Sequence, residues 1–467
     1  MTTPRFTPDE LAAATGGRWS SPPAAPLEGV STDTRALPAG CLFVALRGER
    51  YDGHAFLAEA AARGAAAALV DEAFAASLPE PVPALVVKDT LVALGRIAHL
   101  HRRRFSIPVV GVTGSNGKTT TREMVAAILA TRGPVLRTEG NLNNEVGVPL
   151  TLFGLDAGHA AAVIEMGMNH AGEIGRLTAI AEPQVGLVTM AGTAHIEHLG
   201  SREAIADAKA ELWNGLPAGG LAIVNADDPL LVARGKASGR RMLTFASGRG
   251  RRGDVVVLEV LSQSVEGLRF LLGIGNREVE IHIPGLVGAH NAMNAAGAAA
   301  AAVALGCSDR EIQRGLAAVV PVGRRLRLER LPSGVQLVDD CYNANPDSMG
   351  AALAVLRDLA AGSPGGKAVA ALGDMLELGS FEAEAHRALG EQAARAGLAA
   401  LAAFGPRSRA TAEAARAAGL AEVFHTEDVE ALTRWVRARL APSDVLLVKA
   451  SRGMKLERLV EGLRQAP

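Results

Sequence analysis

Residues 111–120 read GVTGSNGKTT, and no other stretch limits the possible folds of this chain as strongly. An apolar, strand-forming run at 107–112 leads into it, and an amphipathic helical pattern starts at Thr119. Between a strand and a helix, successive backbone N–H groups can surround phosphate oxygens, and the helix N-terminus adds partial positive charge. Lys118 would then contact the terminal phosphates, and Thr119 would bind a Mg²⁺ ion. The stretch predicts a nucleotide-binding loop on a parallel α/β sheet.

The loop differs from the usual G-x₄-G-K spacing at its first glycine. Val112 occupies that position, with Gly111 one residue before it and Gly114 two residues after it. A strand-to-helix turn that merely contains glycine is the alternative interpretation. Arginine supplies most of the basic residues of this chain, so a lysine inside the motif favours the nucleotide loop.

Three candidate ligands follow the loop along the chain. Glu165 ends the apolar run AAAVIE, so its carboxylate would lie at the same sheet edge as the phosphate loop and could bind a metal ion. A surface glutamate at a strand end is the alternative. His195 comes just after another predicted strand, where a structural role is as good an interpretation as metal binding. Lys209 lies in a helical stretch, where most lysines are solvated.

The composition argues against several classes of protein. A net charge of −1 and 3% aromatic residues provide no basic, base-stacking surface for nucleic acid. The longest apolar runs are alanine-rich and too short to span a membrane, and the first ten residues lack a targeting signal. Three widely spaced cysteines indicate neither a zinc cluster nor a disulfide framework. We expect a cytoplasmic protein without a membrane span, and a monomer.

A chain of 467 residues is too long for one core, and its pattern divides into three domains. Residues 1–92 mix short strands and helices. Residues 93–321 alternate strand and helix as in a parallel-sheet P-loop ATPase domain, with strand-like runs at 255–283 that predict an antiparallel insertion. Residues 322–467 alternate again, as in a Rossmann-like domain. The predicted fold class is therefore α/β with three domains.

Several motifs occur in a fixed order along the chain. They are GVTGSNGKTT, NLNNEVGVPLTL, IEMGMNHAGEI, AHIEHLGS, AKAELW, NADD, PGLVGAHNAMNA and DDCYNANPDSM. In sequence and order they resemble the Mur ligase family, and the resemblance runs through all three predicted domains. DDCYNANPDSM, together with ALGDMLELG, is most similar to the family members that add D-alanyl-D-alanine to UDP-N-acetylmuramoyl-tripeptide. The Asp-Asn-Pro-Arg signature of the members that add a diamino acid is not found.

The resemblance implies a role for residues in each domain. The UDP-sugar would contact Ser31, Thr32, Asp33, Arg35, Asp52, Gly53 and His54. ATP would contact Gly114, Ser115, Asn116, Gly117, Lys118, Thr119, Thr120, Asn291, Asn294, Arg325 and Asp340. The peptide and the dipeptide would face Tyr342, Asn343 and Asn345. Arg324 is the alternative to Arg325 as the family's hinge arginine, and the spacing to DDCY favours Arg325.

The resemblance also implies a metal site and a modified lysine. Lys209 matches the family's carbamylated lysine, which forms when CO₂ adds to a neutral amine and which arginine could not replace. Lys118, Glu165, His195 and Lys209 would be the catalytic residues, and Mg²⁺ would be held by Thr119, Glu165, His195 and the Lys209 carbamate. Two residues depart from the family pattern: Met190 stands where asparagine is usual, and His198 where glycine is common.

The implied reaction forms an amide from a carboxylate and an amine with ATP, through an acyl phosphate. The nearest alternatives are another amide ligase of the family and a folate polyglutamate ligase, although the latter lacks a UDP-binding module. A protein that binds a UDP-sugar without ligating it is an alternative of a different class, which the candidate catalytic residues argue against. A nucleic-acid ATPase is disfavoured by the neutral charge.

Overall fold

The computed structural model describes residues 3–48, 51–77, 82–194, 196–250 and 253–465. Within these residues, three helix-covered sheets follow one another along the chain, and a short two-strand ribbon accompanies the first of them. No helix in these ranges is both long and apolar enough to cross a membrane.

The N-terminal unit contains the first sheet and the two-strand ribbon, which β1 and β3 form. The strands of this unit are β1 (Arg5–Phe6), β2 (Arg18–Trp19), β3 (Leu27–Glu28), β4 (Val30–Ser31), β5 (Leu42–Val44), β6 (Ala67–Asp71) and β7 (Ala84–Val87). Its helices are α1 (Pro8–Thr15), α2 (Leu57–Ala62) and α3 (Thr90–Arg102). The sheet order is β2-β7-β6-β5-β4, parallel from β7 to β4. Because β4 and β5 are parallel neighbours, the turns that follow them lie at the same sheet edge.

The central unit contains the second sheet. Its strands are β8 (Val109–Thr113), β9 (Val135–Arg137), β10 (Ala161–Glu165), β11 (Val185–Val188), β12 (Leu221–Asn225), β13 (Arg241–Ser247), β14 (Val255–Ser264), β15 (Gly267–Ile274) and β16 (Arg277–Ile283). Its helices are α4 (Lys118–Leu129), α5 (Gly147–Leu152), α6 (Glu173–Ala181), α7 (Ile196–Leu199), α8 (Arg202–Asn214), α9 (Pro229–Ala237), α10 (Ala289–Ala304) and α11 (Asp309–Ala317).

The strands of the central sheet are ordered β16-β15-β14-β13-β12-β11-β8-β10-β9. Strands β8 to β14 are parallel, and β15 and β16 follow in antiparallel pairs. The antiparallel segment predicted at 255–283 is present. It continues the parallel sheet through the β13–β14 pairing rather than forming a sheet of its own.

Helix α4 begins at the phosphate loop and packs its apolar side into the core. Met124, Val125, Ile128 and Leu129, which the sequence places on one face, are all buried. They pack in one cluster with residues of the alanine-rich α10 and of α11. Shortening one of these side chains to alanine would cost about 2–5 kcal/mol of unfolding free energy. This packing fixes the start of α4, and with it the loop, against the sheet.

Helix α3 connects the N-terminal unit to the central one. Its N-cap is Asp89, whose carboxylate accepts hydrogen bonds from the N–H groups of Leu91 and Val92 at 2.8 and 3.0 Å. The helix packs against α1 on one side and against α5 and α6 on the other. The first predicted domain boundary, between residues 92 and 93, falls inside this helix.

The C-terminal unit contains the third sheet. Its strands are β17 (Arg327–Arg330), β18 (Gln336–Asp340), β19 (Ala368–Gly373), β20 (Ala400–Phe404), β21 (Val423–Thr426) and β22 (Val445–Lys449). Its helices are α12 (Pro346–Ala361), α13 (Glu382–Arg395), α14 (Arg409–Ala417), α15 (Val429–Arg437) and α16 (Glu457–Arg464). The order is β17-β18-β22-β19-β20-β21, with β17 antiparallel at one edge and the rest parallel. The sequence pattern does not indicate the edge strands β17 and β21, which are only partly buried.

Candidate active site

A cleft of about 970 Å³ lies between the central and C-terminal units. Because β8 lies between β10 and β11 in the sheet, the residues that follow these three strands meet in the cleft. It brings together many residues predicted from the sequence: Ser115, Asn116, Gly117, Lys118, Thr119, Thr120, Glu165, Asn291, Asn294, Arg325, Asp340, Tyr342, Asn343 and Asn345.

The glycines of the phosphate loop are required by close contacts. Gly114 and Gly117 have φ angles of 151° and 81°, which side-chain-bearing residues rarely adopt. A Cβ atom at Gly114 would collide with the hydroxyl of Thr189, and one at Gly117 would collide with the amide of Asn294. The unusual glycine spacing of the loop therefore matches its surroundings, because Thr189, the residue after β11, leaves no space for a side chain at position 114.

Lys118 folds its amine back over the loop. Its Nζ donates to the carbonyls of Gly114 at 2.6 Å and Ser115 at 3.3 Å. Burial lowers the pKa of Lys118, although the Glu165 carboxylate raises it, and the Arg325 guanidinium lowers it further. The amine is thus held by neutral carbonyls, at a position where the oxygens of a bound phosphate would be stronger acceptors.

Glu165 ends β10 and is held by two side chains that the sequence analysis did not identify. Arg122 donates to Oε2 at 3.0 Å, and Asn143 donates to Oε1 at 2.9 Å. Arg122 is fully buried in α4 and also pairs with Glu123 at 2.6 Å. Arg122 stands three residues before Val125, on the apolar side of α4. Because buried arginines are almost always paired, this position in the sequence was a signal for a buried acidic partner.

Lys209 is buried in α8, with only 1% of its surface exposed. Burial lowers its pKa well below the usual range, and the nearby charge of Lys118 lowers it further. No carboxylate of a described residue offsets this effect. Both effects favour the neutral form of the amine.

The metal site is described only in part. His195 lies outside the described residues, and no group of three His, Cys, Asp or Glu side chains suited to a metal ion is found among the described ones. Met190 lies in the cleft, where its carbonyl accepts the N–H of Ser115 at 2.9 Å. The ring of His198 lies near that of His170, with ring centres 5.0 Å apart and the planes tilted.

The asparagine pair of α10 forms one wall of the loop. Asn291 is buried and donates to the carbonyl of Val287 at 2.7 Å. Its own oxygen accepts a hydrogen bond from Asn294 at 3.0 Å. Asn294 in turn packs against Gly117. The pair therefore sets the position of the loop as well as lining the cleft.

The two hinge arginines point to different partners. Arg324 pairs with Glu461 at 2.9 Å and with Asp339 at 3.5 Å. Arg325 lines the cleft and stacks on Tyr342, with the guanidinium carbon 3.8 Å from the ring centre. Of the two, Arg325 is thus the one placed to reach a nucleotide.

Asp340 uses both of its carboxylate oxygens within the protein. Oδ1 accepts the N–H of Leu326 at 3.1 Å, and Oδ2 accepts from Lys449 at 2.6 Å. Leu326 has a φ angle of 49°, so this hydrogen bond holds a strained residue next to Arg325. Lys449, which the sequence analysis did not single out, also donates to the Asn343 carbonyl at 2.8 Å. Asp340 thus positions the backbone beside Arg325, and its contact with ATP stays a prediction.

The C-terminal unit touches the phosphate loop directly. Asn345 donates to the side-chain oxygen of Asn116 at 2.8 Å, and Asn116 donates back at 3.3 Å. Two residues further on, the Asp347 carboxylate accepts the N–H and the hydroxyl of Thr193 at 2.8 and 2.9 Å. These contacts close the cleft over the loop.

The residues predicted to bind a UDP-sugar lie away from this cleft, at one edge of the N-terminal sheet. The Ser31 hydroxyl accepts the N–H of Asp33 at 3.1 Å, and a hydrogen bond from Arg35 lowers the pKa of Asp33 to about 2. On the neighbouring strand end, Nδ1 of His54 donates to Asp52 at 2.6 Å, because Nε2 already accepts a backbone N–H. The segments that follow β4 and β5 thus carry polar groups at the same edge of the sheet.

Three family models match the chain. They are the Mur ligase family catalytic domain at residues 26–102, the Mur ligase middle domain at 112–302, and the Mur ligase glutamate ligase domain at 324–452. The UDP-N-acetylmuramoyl-tripeptide–D-alanyl-D-alanine ligase of Bacillus subtilis (strain 168) is 39% identical over 443 residues, which cover 94% of each chain. The chain belongs to the Mur ligase family.

Solved Mur ligases share the fold of this one along its length. MurF from Acinetobacter baumannii is 34% identical, with a TM-score of 0.90 and full coverage of both chains. MurF from Thermotoga maritima, determined in complex with ADP, is 28% identical, with a TM-score of 0.83 and coverage of 93% and 96%. The family and the three-domain α/β fold class predicted from the sequence are confirmed. The domain boundaries and the roles of individual site residues stay predictions.

Proposed function

We propose that this Mur ligase uses ATP to join D-alanyl-D-alanine to UDP-N-acetylmuramoyl-tripeptide, as an amide-forming step of peptidoglycan precursor synthesis. The similarity to the Bacillus subtilis ligase along 94% of both chains carries the proposal. The cleft supports it, because a phosphate loop faces polar residues of a second unit. A nucleotide switch needs only the loop, whereas a ligase must also bring an acceptor amine to the activated group.

The reaction has to overcome the low reactivity of a carboxylate. An oxygen of the terminal carboxylate of the tripeptide attacks the γ-phosphorus of ATP, the bond to the bridging oxygen breaks, and ADP leaves. The dipeptide amine then attacks the acyl carbon, loses a proton, and phosphate leaves as the amide forms. Lys118 offsets the repulsion between the carboxylate and the triphosphate, and the loop N–H groups orient the phosphates.

Closure of the cleft protects the acyl phosphate from water. The Asn116–Asn345 pair brings the start of α12 onto the loop that holds the phosphates. Water would hydrolyse the mixed anhydride, so the amine must be the nucleophile that reaches it first. The C-terminal unit therefore both binds the acceptor dipeptide and excludes water from the cleft.

The residues present fit a Mg²⁺ ion when Lys209 is carbamylated. Burial lowers the pKa of Lys209 and so favours its neutral amine, the form to which CO₂ adds, giving an anionic oxygen donor and releasing a proton. With Thr119 and Glu165 this gives a set of oxygen donors, the kind that Mg²⁺ prefers, and His195 is the fourth proposed ligand. Bound Mg²⁺ would supply charge neutralisation at the phosphates.

Asn345 offers a test of closure that leaves the fold intact. Asn345→Ser keeps a side-chain oxygen that caps α12 but removes the amide pair with Asn116. We expect kcat/KM for ADP release to fall about tenfold, because the acceptor domain is held less precisely, with an unchanged melting temperature. Asn214→Ser, at an exposed helix end, is the control. Unchanged kcat/KM in Asn345→Ser would contradict the role of the contact in closure.

The proposed function is tested by ADP release from purified protein supplied with ATP, Mg²⁺ and UDP-N-acetylmuramoyl-tripeptide. We expect release to depend on added D-alanyl-D-alanine, with a product whose mass equals that of both substrates less one water. A dependence on a diamino acid with the UDP-muramoyl-dipeptide would instead identify a different ligase of the family. Binding of both nucleotides with no ADP release for any acceptor would overturn the proposal.

A further inference from the structure

Two arginines line the cleft around one aromatic ring. The guanidinium carbon of Arg325 lies 3.8 Å from the centre of the Tyr342 ring, and that of Arg452 lies 5.5 Å from it. Within the described ranges, neither guanidinium has an ion pair or a hydrogen bond. Two cations without acidic partners in one cleft form a place for anions.

The other cationic side chains of the cleft are already bonded within the protein. Lys118 donates to carbonyls of the phosphate loop, and Arg202 donates to a backbone carbonyl at 2.9 Å. Lys449 forms its ion pair with Asp340 at 2.6 Å. Among the described residues, the two arginines on the tyrosine ring are therefore the cationic side chains of the cleft whose N–H groups have no hydrogen-bond or ion-pair partner.

The two free arginines differ in position. Arg325 lies on the phosphate-loop side of the cleft, where its charge lowers the pKa of Lys118. Arg452 follows β22 and lies further along the C-terminal side of the cleft. Arg452 can therefore bind an anionic group other than the phosphates of the nucleotide.

Arg452 stands on a turn that is fixed in place. The buried hydroxyl of the preceding residue, Ser451, accepts the N–H of Leu376 at 2.9 Å and donates to the Ala344 carbonyl at 3.3 Å. On the other side, a Cβ atom at Gly453 would lie 3.0 Å from the Leu376 side chain. These contacts hold the backbone from which the Arg452 side chain extends along the cleft.

The spacing suits a dipeptide. Because both guanidinium carbons are measured from one ring centre, their separation is at most the sum of the two distances, 3.8 and 5.5 Å. Two extended residues span about 7 Å. A dipeptide whose amine lies near the phosphates can therefore place its other end at Arg452.

We propose that Arg452 binds the free C-terminal carboxylate of the incoming D-alanyl-D-alanine and selects acceptors that carry it. The inference rests on the proposed function and names the side chain that recognises the C-terminal end of the dipeptide. A guanidinium binds a carboxylate through two parallel hydrogen bonds, so a neutral amide at that end loses both the charge and one acceptor.

The test compares D-alanyl-D-alanine with its C-terminal amide in wild-type protein and in Arg452→Ala. We expect the wild type to prefer the free carboxylate about 10- to 100-fold in kcat/KM. In Arg452→Ala we expect kcat/KM for the free dipeptide to fall by a similar factor, mainly through KM, and the preference to fall to near one. The KM values for ATP and for the UDP substrate stay unchanged. Arg452→Lys recovers part of the preference, since lysine restores the positive charge but cannot donate two parallel hydrogen bonds to a carboxylate.

The matched control is Arg458→Ala, another exposed arginine of the same segment, which does not line the cleft. It should behave as wild type. An Arg452→Ala variant that keeps the full preference for the free carboxylate would overturn the inference, as would a rise in the KM for ATP alone. Lack of D-alanyl-D-alanine-dependent ADP release in the wild type would overturn the proposed function instead, so the two failures are distinguishable.

Discussion

Lys118→Ala is expected to lower the rate of ADP release at least about 10³-fold. The amine lies in the phosphate loop, where it donates to the Gly114 carbonyl, and in the proposed mechanism it offsets the charge of the transferred phosphoryl group. Removing one preorganised charge from such a site typically costs this much in turnover. The measurement is ADP release under saturating substrates, together with the melting temperature, which should change little.

Two further variants make the Lys118 result specific. Lys236→Ala removes an exposed lysine of α9 and should leave turnover unchanged. Lys118→Arg keeps the charge but replaces a compact ammonium with a planar fork, so we expect it to remain strongly impaired. Turnover near the wild-type rate in Lys118→Ala would remove the loop lysine from the proposed mechanism.

Lys209→Ala is expected to cause a loss of similar size that added carboxylates partly reverse. The side chain is buried, and burial lowers its pKa and so favours the neutral amine, which is the state that reacts with CO₂. Alanine leaves a cavity into which formate or acetate can bring an anionic oxygen. We expect ADP release by this variant to rise with formate or acetate concentration and to saturate.

Lys118→Ala serves as the control for this rescue, because it lacks a cation rather than an anion and should not respond to carboxylates. Lys209→Arg should be inactive without rescue, since a guanidinium cannot be carbamylated and fills the space. Full activity of Lys209→Ala in the absence of added anions would refute the carbamate role. Both lysines lie within each other's electrostatic reach, so their effects should not add.

Local patterns along the sequence were sufficient for the fold class and the phosphate loop. The strand before Gly114, the glycine at 117 and the amphipathic α4 are short-range features, and each one constrains its neighbours in the chain. The family motifs supplied the rest of the predicted site, and the cleft gathers most of those residues. The edge strands β17 and β21 were not predicted, because their side chains are only partly buried and so show no apolar pattern.

Pairings between distant residues could not be predicted in this way. Arg122 and Glu165 are 43 positions apart, and Lys449 and Asp340 are 109 apart. Each of these residues has several possible partners in the sequence, and only the packing of strands and helices selects one. The hydrogen bonds of Asp340 to Leu326 and Lys449 are pairings of this kind, so its motif alone did not indicate its positioning role.

Asn345 has a consequence for the catalytic cycle. Its side-chain oxygen caps α12 by accepting the N–H of Ser348 at 2.9 Å, while its amide nitrogen donates to Asn116. When the cleft opens to release product, Asn345 exchanges its bonds to Asn116 for water, at about 1 kcal/mol each, and the helix keeps its cap. The C-terminal unit can thus swing as a preformed body, and no refolding step is needed between one turnover and the next.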